Sequence, residues 1–461
     1  MLFHSAGFLF LFLPIVLLVF KYVKASFPRS ILLVFFSYFF YAGADPVYVV
    51  VLVGSSLVDF YAAVFLARTS IHWKRKALLF CSLSVNLGVL ISFKYWELFS
   101  AMFFALLGVD LLPSVLQMSG ISTLPPGLSF YTFQSMSYTI DVYREETKPE
   151  RTLLDFCNYV AYFPQLIAGP IERHNVLGPQ LNNWMRGMCT PHFSAGLDRI
   201  ALGIIGKLFF SDSAGRIVDN LLSSHEPLTT LDSWIVALGF GLQIFFDFSA
   251  YTSIAIGLAL LMGVHLTENF LSPYKATSPR DFWKRWHLTL STWFRDYVFI
   301  PLGGSRGSMP RRALVVIITF TLSGLWHGAG GNFILWGMFH GLLYTATSLI
   351  PWGITLPLWT RRLGTFVAIQ FSWILFRIDN SDKIFSLWSG MCGVHEGALR
   401  ASSLGDIAFI LCTSIGLQLL PNASERWPGR SGWRESLLLW IGALFLLCIS
   451  PQVETFIYFR F

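Results

Sequence analysis

The sequence predicts an all-α polytopic membrane protein, with about 11 transmembrane helices plus short re-entrant or interfacial helices. Three observations predict it. Hydrophobic residues fill 54% of the 461 positions and charged residues only 13%, about half the roughly 25% charge content of soluble domains. The mean hydropathy is +0.59. Apolar runs recur from one end to the other, and a bilayer-crossing helix needs ~20 such residues. The 44 Phe and 16 Trp suit lipid contact and interfacial anchoring, and the 37 Gly suit close helix packing. Disorder, collagen-like repeats, coiled coil and a secreted disulfide scaffold are excluded.

The first apolar run, Leu2 to Phe20, is followed by Lys21 and Lys24. A cleaved leader has basic residues before its apolar stretch, so this run is expected to be a retained transmembrane helix with its N-terminus outside. Further runs are expected near Ile31 to Ala42, Val47 to Leu66, Ala77 to Phe93, Phe156 to Ala168, Ile200 to Phe210, Trp234 to Phe246 and Ile254 to Val264. They continue at Leu314 to Trp326, Phe333 to Leu349, Thr365 to Ile378, Ile407 to Leu420 and Ser436 to Ile449. Several are too short to span alone and predict broken or re-entrant helices. Two crossings separate the basic residues Lys21, Lys24 and Arg29 from Arg68, Lys74, Arg75 and Lys76, which places both clusters on one side, the cytoplasm. One membrane domain is expected over 1–461, with N-terminal helices in 1–115, a core in 120–380 and C-terminal helices in 400–461.

Basic residues outnumber acidic ones 33 to 26, a net +7. In such a chain this is positive-inside bias, and nucleic acid is not the partner. Lys275 to Arg312 holds eight basic residues against Asp281 and Asp296, +6 in one stretch. Within it Phe282 to Val298 is expected to form an interfacial amphipathic helix, with Trp283, Trp286, Leu290, Trp293 and Phe294 on one stripe and Lys284, Arg285 and Arg295 opposite. Pro301 and Gly303-Gly304 end it. Cys81, Cys157, Cys189, Cys392, Cys412 and Cys448 are scattered without a CxxC pair and read as small core hydrophobes.

Ionisable groups at membrane depth are costly and mark pathways or sites. His327 lies in Ser323-Gly324-Leu325-Trp326-His327-Gly328, at the end of an apolar helix where glycines allow close backbone approach. Its imidazole is a candidate general base for acyl transfer; a packed histidine bonded to a carbonyl is the alternative. His287 falls at the border of the aromatic stripe and can point toward protein. His340 follows His327 across a glycine break and is expected to serve packing or support. No HExxH or HxH spacing is present, so no metal site is expected. Asp247 interrupts an apolar stretch, either pairing with a cation or capping a following half-helix together with Ser249. Asp59 and Asp141 read as structural. No GxSxG elbow, reactive-cysteine context or P-loop is present.

These segments together resemble the membrane-bound O-acyltransferase superfamily, in its bacterial polysaccharide-acetylation branch. The resemblance rests on Pro126-Gly127-Leu128-Ser129-Phe130-Tyr131 running to Asp141-Val142-Tyr143-Arg144, and on Phe163-Pro164-Gln165-Leu166-Ile167-Ala168-Gly169-Pro170. It continues through Phe246-Asp247-Phe248-Ser249, where Ala250 stands in place of a frequent Gly, and Phe282-Trp283-Lys284-Arg285-Trp286-His287 with Arg295-Asp296-Tyr297. Leu325-Trp326-His327-Gly328 and Trp373-Ile374-Leu375-Phe376-Arg377 complete it. The resemblance implies a ring of tilted helices around a thin central funnel, with His327 as the catalytic histidine and His287 as the second polar residue of the site.

It further implies an acyl donor reaching the site from the cytoplasm, acetyl-CoA as substrate with no tightly bound cofactor, and an acceptor entering from outside. Trp326, Trp283, Lys284, Arg285 and Arg295 are the candidates for contact with that donor, although positive-inside anchoring would place such charges there as well. His340 and Asp247 would support the site from behind. Expected partners are membrane lipids, the acetyl-CoA donor or an acyl carrier protein in its place, an extracytoplasmic acetyltransferase and an exported polysaccharide, in a bacterial inner membrane. Transfer of a D-alanyl or other acyl group from a carrier protein to a cell-wall polymer is the alternative within the family. A secondary transporter or an export scaffold is the alternative outside it.

Overall fold

The computed structural model describes residues 3–108, 124–223, 228–349, 356–395, 403–420, 432–450 and 456–457. The end of the expected 1–115 segment, from 109, lies outside them. Every regular element among the described residues is helical.

The N-terminal third comprises α1 (Phe8–Tyr22), α2 (Ser26–Ala42), α3 (Pro46–Arg68) and α4 (His72–Leu107). The Asp45 carboxylate caps α3 by accepting from the Val47 amide at 2.9 Å, with Pro46 at the first helical position. α3 and α4 are each long and apolar enough to cross a bilayer. α4 loosens into a π-helical turn at Ile91–Tyr95. Then follow α5 (Leu128–Tyr143), α6 (Leu153–Val160), α7 (His174–Met185), α8 (Phe193–Ile205), α9 (Asp212–Leu222) and α10 (Thr230–Leu261). α11 (Pro279–Trp283), α12 (Leu288–Phe294), α13 (Met309–His327), α14 (Gly331–Leu349) and α15 (Leu358–Arg377) carry the candidate residues. α16 (Ser381–Met391), α17 (Leu404–Leu419) and α18 (Trp433–Ile449) complete the order.

The two basic clusters of the first third gather at one end of the molecule. Arg75 donates to the Tyr143 carbonyl at 2.7 Å and pairs with Glu145, and the Arg29 guanidinium lies 4.2 Å over the Trp184 ring. The ends of α3, α5 and α7 therefore share this basic end.

Four expectations need correction. The runs Trp234 to Phe246 and Ile254 to Val264 are one helix, α10, of 32 residues, roughly 48 Å long. Asp247 sits inside it and caps nothing. It accepts from Lys207 Nζ at 2.7 Å, Ser211 Oγ at 3.4 Å and the Ile457 amide at 2.6 Å, so pairing with a cation replaces the break its charge would otherwise force. Second, Phe156 to Ala168 is helical only to Val160. Residues 161–173 turn back inside the protein, where Gln134 and Gln165 both donate to the Tyr159 carbonyl in the last turn of α6 (2.9 and 3.2 Å).

Third, Phe282 to Val298 is not one interfacial helix. It breaks between α11 and α12, and its aromatic residues are buried in protein rather than laid on lipid. Fourth, of the six cysteines only Cys157 is fully buried; Cys81, Cys392, Cys412 and Cys448 are exposed on the outer surface.

Lys207, bonded to both Asp212 (2.9 Å) and Asp247, is 2% exposed. Removing one partner of such a group leaves buried charge uncompensated, at about 3–5 kcal/mol. Lys207→Met should therefore lower the thermal unfolding midpoint in detergent markedly, and Lys207→Met combined with Asp212→Asn and Asp247→Leu should recover part of it. An unchanged midpoint in the single variant would show that the cluster adds nothing.

Candidate active site

α13 and α14 form an antiparallel pair joined by Gly328-Ala329-Gly330, so His327 stands at the apex of a helical hairpin. Glycine makes the pair close. A Cβ on Gly324 would collide with the Phe333 carbonyl, one on Gly337 with the Phe320 carbonyl, and one on Gly341 would lie 2.8 Å from Ile317 Cα. Backbones this near fix the His327 Cα against α14. The imidazole is buried, packed edge-on to Trp336 (5.2 Å between ring centroids) and Phe376 (5.1 Å).

His287 reaches the same centre by another route. It joins α11 to α12 in the left-handed conformation, φ +43° and ψ +56°, which costs a non-glycine residue about 1–3 kcal/mol. Asn269 holds it there. The Leu288 amide donates to the Asn269 carbonyl at 3.0 Å, while the Asn269 Oδ1 accepts from the Thr289 amide (3.1 Å) and the Thr289 hydroxyl (2.9 Å). His287 Nδ1 lies 3.3 Å from that same oxygen. Because Oδ1 can only accept, Nδ1 carries the proton and Nε2 carries the lone pair. His287 Nε2 is fully buried and has no hydrogen-bond partner among the described residues.

The two histidines meet across one side chain. Trp326 lies 4.9 Å from the His327 ring and 6.0 Å from the His287 ring, centroid to centroid. Near the pair, His287 Nε2, the Asn269 amide nitrogen and the indole nitrogens of Trp326 and Trp336 are buried without a hydrogen-bond partner among the described residues, which leaves three donors and one acceptor for a bound substrate.

His340 supports rather than enters the centre. The Trp283 indole donates to His340 Nδ1 at 3.3 Å, and His340 Nε2 donates to the Ser372 hydroxyl at 3.0 Å, which donates onward to the Ile369 carbonyl. Both ring nitrogens are thus used, and the ring buttresses Trp336 at 4.7 Å. Asp247 lies with Lys207 and has no recorded contact with either central histidine.

Two cavities lie near the pair, and the smaller is lined by His327 itself. One of about 400 Å³ runs from the exposed Arg280, Lys284 and Arg295 past Trp283 and Phe320 to Ser323. The other, about 30 Å³, is bounded by Lys94, the Pro125-Pro126-Gly127 turn, Trp326 and His327. Ser323 and His327 are one turn apart on α13, roughly 6 Å, so the larger cavity ends one turn short of the imidazole that lines the smaller one. A further cavity of about 440 Å³ beside Arg199 and Phe246 touches none of the central histidines.

Of the basic residues singled out from sequence, Lys284 and Arg295 line the larger cavity and Arg285 does not. Arg285 braces the chain instead, pairing with Asp281 at 2.9 Å and donating to the Leu271 carbonyl. Burial raises the Asp281 carboxyl, but the Thr277 amide and Arg285 together hold it below its ordinary range. Arg280 takes the place expected of Arg285, its guanidinium 5.1 Å over the Tyr344 ring. Sequence reasoning missed Arg280, Asn269 and Lys94. Lys94 carried a legible signal, a lone charge at the end of an apolar run. Among the described residues no three His, Cys, Asp or Glu side chains gather to hold a metal.

Comparison with known proteins names this arrangement. The family model for MBOAT, membrane-bound O-acyltransferase family, matches residues 69–375. The chain belongs to the membrane-bound O-acyltransferase family. It is 37% identical to a "Probable alginate O-acetylase AlgI" of Pseudomonas syringae pv. tomato over 94% of this chain and 85% of the relative. It is 30% identical to a "Peptidoglycan O-acetyltransferase" of Helicobacter pylori over 100% of this chain and 98% of the relative. A "Teichoic acid D-alanyltransferase" of Bacillus subtilis is 27% identical over 53% of this chain and 66% of that protein. The protein is thus a multi-pass membrane acyltransferase. In this O-acyltransferase, Asn269→Ala would release His287 Nδ1 and relax the left-handed turn. Acyl transfer should fall by about 10²-fold in a protein that still folds; a wild-type rate would show that the fixed ring orientation does not matter.

Proposed function

We propose that the protein moves an acetyl group from acetyl-CoA on the basic side of the membrane to a hydroxyl acceptor on the other side, for O-acetylation of an exported polysaccharide. The single observation that carries this reading is the larger of two unequal cavities, which opens among basic residues and ends at Ser323, one turn along α13 from the His327 that lines the smaller. The larger has a basic mouth and an aromatic throat, which suit an acyl thioester with a phosphorylated carrier. Lys284, Arg295 and Arg280 would pair with phosphate, and the slender thioester arm would pass Trp283 and Phe320. The basic end is the cytoplasmic end by positive-inside bias, which puts the N-terminus outside; likeness to relatives from bacteria supports a bacterial inner membrane as the location.

In the reaction His327 takes the proton from the attacking hydroxyl as oxygen bonds to the acyl carbon. The carbon–sulfur bond then breaks, and the departing thiolate takes the proton from His327 and leaves as thiol. His287, presenting a bare Nε2, orients a substrate by accepting from its N–H or O–H. As a neutral ring in this tautomer it cannot donate to the carbonyl oxygen from that nitrogen. No tightly bound cofactor takes part. The acceptor is delivered by an extracytoplasmic acetyltransferase that passes the group to the polymer.

A D-alanyl donor on a carrier protein is the second reading, favoured by the teichoic acid relative. Membranes containing the protein and labelled acetyl-CoA should transfer label to an externally exposed acceptor. His327→Ala should cut that transfer about 10²- to 10⁴-fold at normal protein levels; near-normal transfer would sink the assignment of the base. Label that stays in CoA while a carrier-protein thioester is consumed would select the second reading.

A further inference from the structure

The proposed chemistry leaves one requirement unmet by the two histidines. As the hydroxyl adds to the thioester, negative charge develops on the carbonyl oxygen, and positive or hydrogen-bond-donating groups must stabilise it. His287 faces the centre with a lone pair, and neither cavity is lined by an acid or by a second charged group near His327 other than Lys94.

Lys94 arrives from the π-helical turn Ile91–Tyr95 of α4, 94 − 72 = 22 residues from the basic end at His72, roughly 33 Å along the helix. Its Nζ donates to the Trp326 carbonyl at 2.7 Å and lies 5.7 Å from the centre of the Trp326 ring. The neighbouring Tyr95 hydroxyl donates to the Leu325 carbonyl, also at 2.7 Å. Both carbonyls belong to the last turn of α13, which has no further helix to bond them. A capping role alone would account for Tyr95, whose donor is neutral. It does not account for a cation, which is costly at this depth. No carboxylate pairs with Lys94 among the described residues, and one backbone oxygen uses only one of its three donors. The side chain lines the small cavity together with His327.

We infer that Lys94 is a catalytic residue of the acyl transfer: its ammonium, fixed against the end of α13, stabilises the negative charge that develops on the thioester carbonyl oxygen. This rests on His327 acting as the base. Hydroxyl addition makes the oxygen–carbon bond while the carbonyl electron pair moves to oxygen beside Lys94. When that pair returns, the carbon–sulfur bond breaks and the charge leaves with sulfur. Lys94 keeps its proton throughout.

The test compares Lys94→Gln, Lys94→Arg, Tyr95→Phe and His327→Ala in the full-length protein, with kcat and KM for acetyl-CoA measured per mole of protein that elutes as folded monodisperse material. Lys94→Gln keeps a donor for the Trp326 carbonyl and removes only charge. It should lower kcat about 10²-fold with KM nearly unchanged, and Lys94→Arg should restore a large part. Tyr95→Phe removes the adjacent cap without changing charge and sets the size of a purely structural loss. A Lys94→Gln loss no larger than that of Tyr95→Phe, or no rescue by Arg, would overturn the inference while leaving His327 as base. Activity retained in His327→Ala would instead remove the reading on which it rests, and the inference with it.

Discussion

The constraint on which this structure depends is that a helix cannot simply stop inside a membrane. Its free amides and carbonyls have no water to bond, and each one left bare costs several kcal/mol. Among the described residues, three internal breaks are accordingly closed by side chains. Asn269 closes the gap between α11 and α12, Gln134 and Gln165 close the turn after α6, and Lys94 and Tyr95 close the end of α13. Asn269 and Lys94 also bring polar atoms to the edge of the reaction centre, so there the repair of the backbone and the construction of the site are one act.

This coupling explains the strain at His287. The left-handed turn costs about 1–3 kcal/mol, and each neutral hydrogen bond to Asn269 returns about 1 kcal/mol. With three donors converging on one oxygen, the turn is held and the ring is locked as well. A flexible loop could carry a histidine to the same place. It could not also dictate which nitrogen bears the proton.

Hydropathy made the long helices legible because burial in lipid imposes a run length on the sequence. The extent of α3 and α14 follows from that within about two residues, whereas the runs from Leu314 and Thr365 find α13 and α15 but miss their first turns at Met309 and Leu358. Failures came where a long-range partner overrules a local rule. Asp247 looks like an interruption of an apolar run until Lys207, from the turn between α8 and α9, neutralises it. Phe282 to Val298 has the periodicity of one helix, and nothing local announces that Asn269 stabilises a break within it. Arg285 and Arg280 are chemically equivalent in sequence, and only the pairing of Arg285 with Asp281 turns one into a brace and leaves the other on the cavity. The candidate histidines stood out because depth makes any imidazole conspicuous; Lys94 carried the same kind of signal just past an apolar run, and only its bond to the Trp326 carbonyl ties it to the site.

The inequality of the cavities bears on specificity. In the proposed reaction the cavity of about 400 Å³ on the basic side takes the extended thioester arm, whereas the much narrower space at His327, about 30 Å³, meets the reacting hydroxyl. In the proposed reaction the site therefore reads the donor along its length and the acceptor only at its tip. Relatives named for alginate, peptidoglycan and teichoic acid are compatible with one such centre, because a pocket that meets the acceptor only at its reacting hydroxyl places little demand on the polymer behind it. In the proposed reaction the choice of polymer then falls to whatever presents that hydroxyl.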